Sequence, residues 1–204
     1  KIDVAYITID SNGIIPLEII EKDPYSAYLF RKVMQKHFKE AYNHPPEENP
    51  IKNLKNRDEL KLPSDFEEKY PRADDLYADI EGAVSNFPID HTVGVIDWKG
   101  TRKYGLDKLA GFNRSDVYDY DDERNDPDAG KTSELSAWLH YGKVSEYEIV
   151  KSVFDKQPES WSLNDLTPNG GKNSGFFNGN DSIQGFLDEV ITWREVGFHF
   201  AHHR

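Results

Sequence analysis

Thr132 and Ser133, leading into Glu134-Leu135-Ser136-Ala137-Trp138-Leu139-His140-Tyr141-Gly142, are the residues of this chain best suited to hold an anion. Two hydroxyls precede an amphipathic run that stops at a glycine, so the pattern predicts a helix capped by Thr132 or Ser133. The first turn of such a helix offers free backbone N–H groups, side-chain hydroxyls and a positive dipole end, which together suit a phosphate. A cap that serves only its own helix uses the same residues. Arg194 is the second candidate. Over the final predicted helix, Phe186 to Ala201, Phe186, Leu187, Val190, Ile191, Trp193, Val196, Phe198 and Phe200 share one broad arc. Asp188, Thr192, Glu195 and His199 lie opposite, while Arg194 falls mid-arc and Glu189 lies within the arc's edge. A guanidinium aimed into a core requires an anion, because an uncompensated buried charge is strongly destabilising. Either a carboxylate such as Glu189 or an anionic ligand meets that requirement.

Other chemistries are excluded or disfavoured by the residues themselves. Gly130-Lys131-Thr132 resembles the end of a phosphate-binding P-loop, but Asn125 occupies the place of the first glycine and no hydrophobic strand precedes it. His199, His202 and His203 have a permissive metal spacing, yet no carboxylate completes a set, so no metal is expected. The chain has no cysteine, which removes disulfides, thiolate ligands and a cysteine nucleophile. There is no Gly-x-Ser-x-Gly elbow.

The elements that must position Thr132 and Arg194 are mostly helical. Residues 2–9 predict a short strand closed by Ser11-Asn12-Gly13. Asp23-Pro24 predicts the start of a helix over 24–42, with Tyr28, Leu29, Val33, Met34, Phe38 and Ala41 facing inward. Residues 47–61 read as an exposed connection, and Ser64 with Glu67 as a capping box that opens a short helix. Further helices are predicted over 74–85 and 101–112, the latter with Tyr104, Leu109 and Phe112 inward, and an extended segment over 87–93. An acidic linker follows over 116–128. Ser145 and Glu148 form a second capping box for a helix through Phe154, and the Asn- and Gly-rich residues 165–182 read as loop.

Composition sets the outer limits. At 204 residues with 37% hydrophobic and 30% charged residues, the chain is globular and soluble, with no apolar run long enough for a membrane span. Its formal charge of −12 argues against binding nucleic acid through bulk charge, and leaves room for a local basic patch. The cysteine-free composition fits a reducing compartment, and the expected location is cytoplasmic.

Three motifs over residues 120–200 together resemble the cryptochrome/photolyase family. Thr132-Ser133-Glu134-Leu135-Ser136-Ala137-Trp138-Leu139-His140-Tyr141-Gly142-Lys143-Val144-Ser145 is similar to the family's Thr-Ser-x-Leu-Ser-Pro-Tyr-Leu-His-Phe-Gly-x-Ile-Ser segment. Ala137-Trp138 stands for its Pro-Tyr and Tyr141 for its Phe. Upstream, Tyr120 and Arg124-Asn125-x-Pro127 match the family's Tyr…Arg-Asn/Asp-x-Pro stretch. Downstream, Phe186-Leu187-Asp188-Glu189-Val190-Ile191-Thr192-Trp193-Arg194-Glu195 is similar to its Phe-Leu-x-Glu-Leu-Ile…Arg-Glu helix, with spacing nearest the class II and related bacterial branch.

The resemblance implies a mostly α, multihelical FAD-binding domain, truncated, with one or two short amino-terminal strands. Residues 1–112 would form the connector and first helices, by a looser match, and residues 113–204 the amino-terminal half of the flavin domain. It further implies that Tyr120, Thr132, Ser133, Leu135, Ser136 and Arg194 hold FAD, that Glu189 touches the damaged bases, and that Trp193 lies near the lesion. The parent activity would be light-driven repair of cyclobutane pyrimidine dimers in ultraviolet-damaged DNA, a carbon–carbon lyase reaction using reduced FAD. A cryptochrome-like blue-light receptor shares every one of these motifs. A cofactor-free interaction domain on the same scaffold is the third reading, since half a flavin domain would leave the pocket open and bind FAD weakly or not at all.

Overall fold

The computed structural model describes residues 9–53 and 62–204, with Asp75 described by its backbone alone. The chain is mostly helical, and no strand occurs among the described residues. The strand predicted over 2–9 lies, Ile9 apart, outside them. Two compact units arise: one from residues 1–46 and 99–204, the other from residues 47–98.

In the larger unit, helix α1 spans Ala27–Tyr42. Its cap is Ser26, whose hydroxyl accepts from the Leu29 amide, and not the predicted Asp23-Pro24. Asp23 accepts instead from Arg204. Phe30, Met34 and Phe38, spaced by one helical turn, are fully buried, while Tyr28, expected inward, is 52% exposed. Phe38 meets Phe154, Phe176 and Phe177 edge-on at ring distances of 6.1, 6.0 and 5.2 Å. Those last two rings belong to the loop over 165–182, so this loop closes the core. Gln35 ties it to α1, its Oε1 accepting from the Asn169 and Gly171 amides and its Nε2 donating to Asn169 Oδ1 and Lys172 O. Gly171 has φ +87°, and a Cβ there would lie 2.8 Å from the Tyr28 carbonyl oxygen, so the close approach requires glycine.

After α2 (Phe66–Lys69), α3 (Asp74–Ala78) and α4 (Ile80–Ser85) of the smaller unit, helix α5 spans Arg102–Phe112 with Leu109 and Phe112 buried, as predicted; Thr101 caps it. The acidic residues 116–128 do not form a plain linker. A 3₁₀ turn over Asp116–Tyr118 and helix α6 over Tyr120–Glu123 form there. Lys131 Nζ bridges Asp116 and Asp119 at 3.1 and 3.2 Å, which offsets the repulsion of the acidic run. Helix α7 is shorter than predicted, Ser136–His140, and Gly142 takes φ +62° just beyond its end.

Helix α8, Glu146–Phe154, has the predicted capping box. Ser145 Oγ accepts from the Glu148 amide, and Glu148 Oε2 accepts from the Ser145 amide at 2.9 Å. Glu148 also receives a two-pronged pair from Arg102 of α5. The Arg102 pair and the Ser145 bonds hold the Glu148 carboxyl down to about 2. A depressed folded-state pKa stabilises the fold above the unfolded value, and that stability is lost as pH falls through the folded one. The Glu148 contribution is therefore complete above about pH 4.5 and disappears toward pH 2. Acid titration of the far-ultraviolet circular dichroism is expected to show Glu148→Gln less stable at pH 6 and equal to the native chain near pH 2. A constant difference at both pH values would refute this assignment.

The last helical stretch is continuous over residues 181–202. Helix α9 (Asp181–Leu187) passes into a π-helical segment (Asp188–Trp193) and then into α10 (Arg194–His202). A π segment rotates the faces that follow relative to the regular 3.6-residue repeat. Asp188, Thr192, Glu195 and His199, predicted to form the outer side, are 7%, 0%, 1% and 0% exposed, whereas Trp193 and Phe200 of the apolar arc are 53% and 48% exposed. The buried polar row packs against the amino-terminal segment and α1. Ile14 and Ile15 donate their amides to Glu195, Arg31 pairs with Asp188, and His199 lies against Phe30 at 5.2 Å.

The smaller unit contains α2 (Phe66–Lys69), α3 (Asp74–Ala78) and α4 (Ile80–Ser85), and none of its described residues is buried. The capping box predicted at Ser64 and Glu67 does not form; Asp65 precedes α2 and pairs with Lys69. The helix predicted over 74–85 is divided at Asp79, whose carboxylate accepts from the Gly82 amide and starts a new helix. Residues 87–93 form turns in place of the predicted extended segment, including an Ile89 amide bond to the Phe87 carbonyl. Residues 47–53 are exposed, as predicted; residues 54–61 of that connection lie outside the described residues.

Candidate functional site

Helices α6, α7 and residues 186–198 surround a cavity of about 900 Å³. Tyr120, Ser133, Ser136, Glu189 and Arg194 all line it, with Ala137, Leu139, His140, Phe186, Val190 and Phe198. Five of the eight residues singled out from the sequence thus meet around one space, although they span 75 positions of the chain.

Tyr120 is set by an aromatic triad, meeting Phe112 at 6.0 Å and Phe186 at 5.2 Å, both edge-on. The Arg124 guanidinium lies 5.6 Å from its ring centre, and burial pushes the phenol pKa up. Arg124 in turn donates to Glu189 at 2.5 Å. Arg194 packs on Phe198, 4.9 Å from the ring centre, and its Nε donates to Glu146 Oε2 at 3.1 Å. The sequence left Glu189 as the internal partner for Arg194; the structure gives Glu189 to Arg124 and Arg194 to Glu146. Nothing in the spacing marks Glu146, which opens α8 forty-eight positions before Arg194. Arg124 was visible within the Arg-Asn-x-Pro stretch, as an ordinary motif residue.

The hydroxyl segment is built differently from the prediction. Neither Thr132 nor Ser133 caps α7: the residue before the helix is Leu135, with no side-chain cap bond. Ser133 Oγ accepts from the Leu135 amide at 3.5 Å, and Glu134 takes φ +53°. An ion pair from Lys108 holds the Glu134 carboxylate outside while Leu135 is driven to 1% exposure, so the chain turns sharply before the helix starts. With α7 only five residues long, the helix-dipole argument for phosphate at Thr132 fails. What remains are the hydroxyls of Ser133 and Ser136 on the cavity wall.

Three sequence candidates do not line the cavity. Thr132 is exposed, Leu135 is a core residue, and Trp193 projects from the surface with the Arg31 guanidinium 6.0 Å from its ring centre. Among the described residues no group of three or more His, Cys, Asp or Glu side chains is placed to hold a metal ion, and no helix is long and apolar enough to cross a membrane.

The cavity therefore joins an arginine, two serine hydroxyls, a tyrosine and a histidine to apolar walls, with the Glu189 carboxylate on its lining paired to Arg124. This donor set suits an anionic group attached to an apolar or aromatic body. Over 124 residues the chain is 24% identical to a deoxyribodipyrimidine photo-lyase from Potorous tridactylus. The match covers 60% of this chain and 20% of that protein's length. No family model matches the chain. This partial similarity to one photolyase does not distinguish among the branches of that family.

Proposed function

We propose that this chain is part of a photolyase-like flavoprotein and that its cavity receives the diphosphate portion of FAD. One observation carries the reading. Tyr120, Ser133, Ser136 and Arg194, which the family resemblance assigns to the cofactor, line a single cavity although nothing in their spacing requires it. The chemistry of the donors fits. Two hydroxyls and a guanidinium bind phosphate oxygens, Leu139, Val190 and Phe198 exclude water from one side, and the Phe112–Tyr120–Phe186 triad keeps the tyrosine from swinging away. Thr132 and Leu135 serve this reading by shaping the turn that presents Ser133 and Ser136.

In the parent protein, reduced FAD would supply the light-excited electron that opens the cyclobutane ring of a dimer in ultraviolet-damaged DNA. The chain's own contribution is binding and orientation. Arg124 holds the Glu189 carboxylate in place at the cavity edge, and Trp193 offers an exposed ring for stacking on a base. The family resemblance implies that Glu189 touches the damaged bases and that Trp193 lies near the lesion.

The test is a titration of the purified chain with FAD, followed by flavin fluorescence and visible absorption. Arg194→Ala is expected to weaken FAD binding by roughly 10- to 100-fold, which corresponds to about 1.5–3 kcal/mol for a hydrogen bond to a charged group. Equal affinities of the native chain and Arg194→Ala would remove this cavity as the diphosphate site. The Arg194–Glu146 pair favours one second reading, a cofactor-free interaction domain in which Arg194 is satisfied internally. Absence of FAD binding by a longer chain as well as by this one would establish that alternative.

A further inference from the structure

Behind Arg194 lie two carboxyl groups that the cavity does not use. Glu146, at the start of α8, is 4% exposed, and Glu195, on α10, is 1% exposed. Both are held around one residue: Arg194 bonds Glu146 and is the chain neighbour of Glu195, and the two carboxyls are close enough to act on each other. Glu195 is well supplied with donors: the Ile14 amide reaches its Oε1 at 2.7 Å and the Ile15 amide its Oε2 at 3.0 Å. Glu146 has Arg194 Nε on Oε2, but its Oε1 is fully buried with no donor. Two carboxylates in contact repel, and a donorless buried carboxylate oxygen is costly unless it carries a hydrogen itself.

We propose that Glu146 and Glu195 share one proton, with Glu146 as the acid, and that this proton sets the charge Arg194 presents to an anion in the cavity. The choice of Glu146 follows from the donors. Burial pushes the Glu195 carboxyl up as well, but its two amides favour the anion, whereas Glu146 Oε1 receives no donor and is accommodated best as the O–H of the acid. The position of Glu146 in the first turn of α8 favours its ionised form through the helix dipole, but that exposed-end effect is weaker than burying a second negative charge. Burial and the neighbouring Glu195 push the Glu146 carboxyl well above its ordinary range.

The remaining charged groups around the pair do not replace this arrangement. Asp10 on the amino-terminal segment adds negative charge near Glu195. His199, one turn further along α10, is held toward its neutral form by burial. Arg31 is closed on Asp188 and Arg102 on Glu148. With one proton shared, Arg194 and Glu195 balance, so the site carries no net charge against an incoming anion and the guanidinium is paired with a neutral acid, not with a carboxylate. When the proton leaves, two carboxylates outweigh one arginine and the anion is repelled. Glu146 is thus a positioning residue that makes anion binding pH-dependent, and this consequence rests on the reading of the cavity as a diphosphate site.

The first measurement needs no variant: carbon-13 NMR of the glutamate carboxyl carbons between pH 5.5 and 9. One glutamate carboxyl is expected to remain protonated at pH 7, and its signal is expected to vanish in Glu146→Gln. Full ionisation of every glutamate at pH 7 would overturn the proposal. The second measurement uses ADP-ribose, whose diphosphate diester does not titrate in this range. Its affinity is expected to fall by up to about tenfold per pH unit once the pair ionises, and to be flat with pH in Glu146→Gln, which keeps the bonds of the acid. An unchanged pH slope in Glu146→Gln would overturn the coupling. Failure of the native chain to bind ADP-ribose at any pH would count against the diphosphate reading itself, while the NMR titration decides the shared proton independently.

Discussion

Asp188→Ala is expected to remove about 3–5 kcal/mol of folding stability, because it strands a buried guanidinium. Arg31 and Asp188 form a two-pronged pair, Nε to Oδ1 at 2.7 Å and Nη2 to Oδ2 at 2.6 Å. Their side chains are 11% and 10% exposed, so water can replace little of what is lost. The pair joins α1 to the π-helical segment, and the same guanidinium lies by the Trp193 ring. The expected readout is a lower urea midpoint together with an altered Trp193 fluorescence. The double variant Arg31→Met, Asp188→Leu separates lost charge from lost packing, because apolar replacement of a buried pair is often neutral or stabilising by about 1–4 kcal/mol. It is expected to recover most of the stability but not the fluorescence. A loss below about 1 kcal/mol in Asp188→Ala, the level of an exposed pair, would show that water reaches Arg31.

Phe38→Ala is expected to cost a comparable amount, about 3–5 kcal/mol, through lost burial and an unfilled cavity. The ring has no exposure and sits among Phe154, Phe176 and Phe177, with Tyr42 stacked at 5.7 Å. Total stability for a domain of this kind is about 5–15 kcal/mol, so a single ring is a large share. The loss is expected to be felt first in the loop over 165–182, which has no regular ladder and depends on Phe176, Phe177 and Gln35 for its position. Hydrogen exchange is the suitable measurement. The Asn169 and Gly171 amides, both bonded to Gln35 Oε1, are expected to lose protection before the α8 amides. Equal loss of protection in loop and helix would mean that the loop and α8 open as one unit.

Elements whose specification is local were legible in the sequence. Ser145 caps α8 as predicted, because a cap needs only a hydroxyl and a free amide within three residues. The loop over 166–180 followed from its asparagines and glycines, although α9 already begins at Asp181. The caps at Asp23 and Ser64 failed because other groups claimed the same positions: Ser26 starts α1 while Arg204 takes Asp23, and Asp65 begins α2. The helix predicted at Thr132 failed for a related reason, since an ion pair to Lys108 and the burial of Leu135 turn the backbone at Glu134.

The candidate site divides along the same line. The chain by itself determined a mostly helical protein, a loop over its Asn- and Gly-rich stretch, and an arginine whose place on a helix demanded an anion. Tertiary structure alone decided which carboxyl group meets it. Glu146 reaches Arg194 and Arg124 reaches Glu189 across separations of 48 and 65 residues, distances over which no periodicity can speak. It also decided which face of residues 181–202 is inside. A regular repeat puts Asp188, Thr192, Glu195 and His199 in water, but the π-helical segment changes the phase and the amino-terminal segment and α1 cover that row. Polar side chains can be buried when partners elsewhere in the chain satisfy them, and only the folded chain brings Arg31, Ile14 and Ile15 to Asp188 and Glu195.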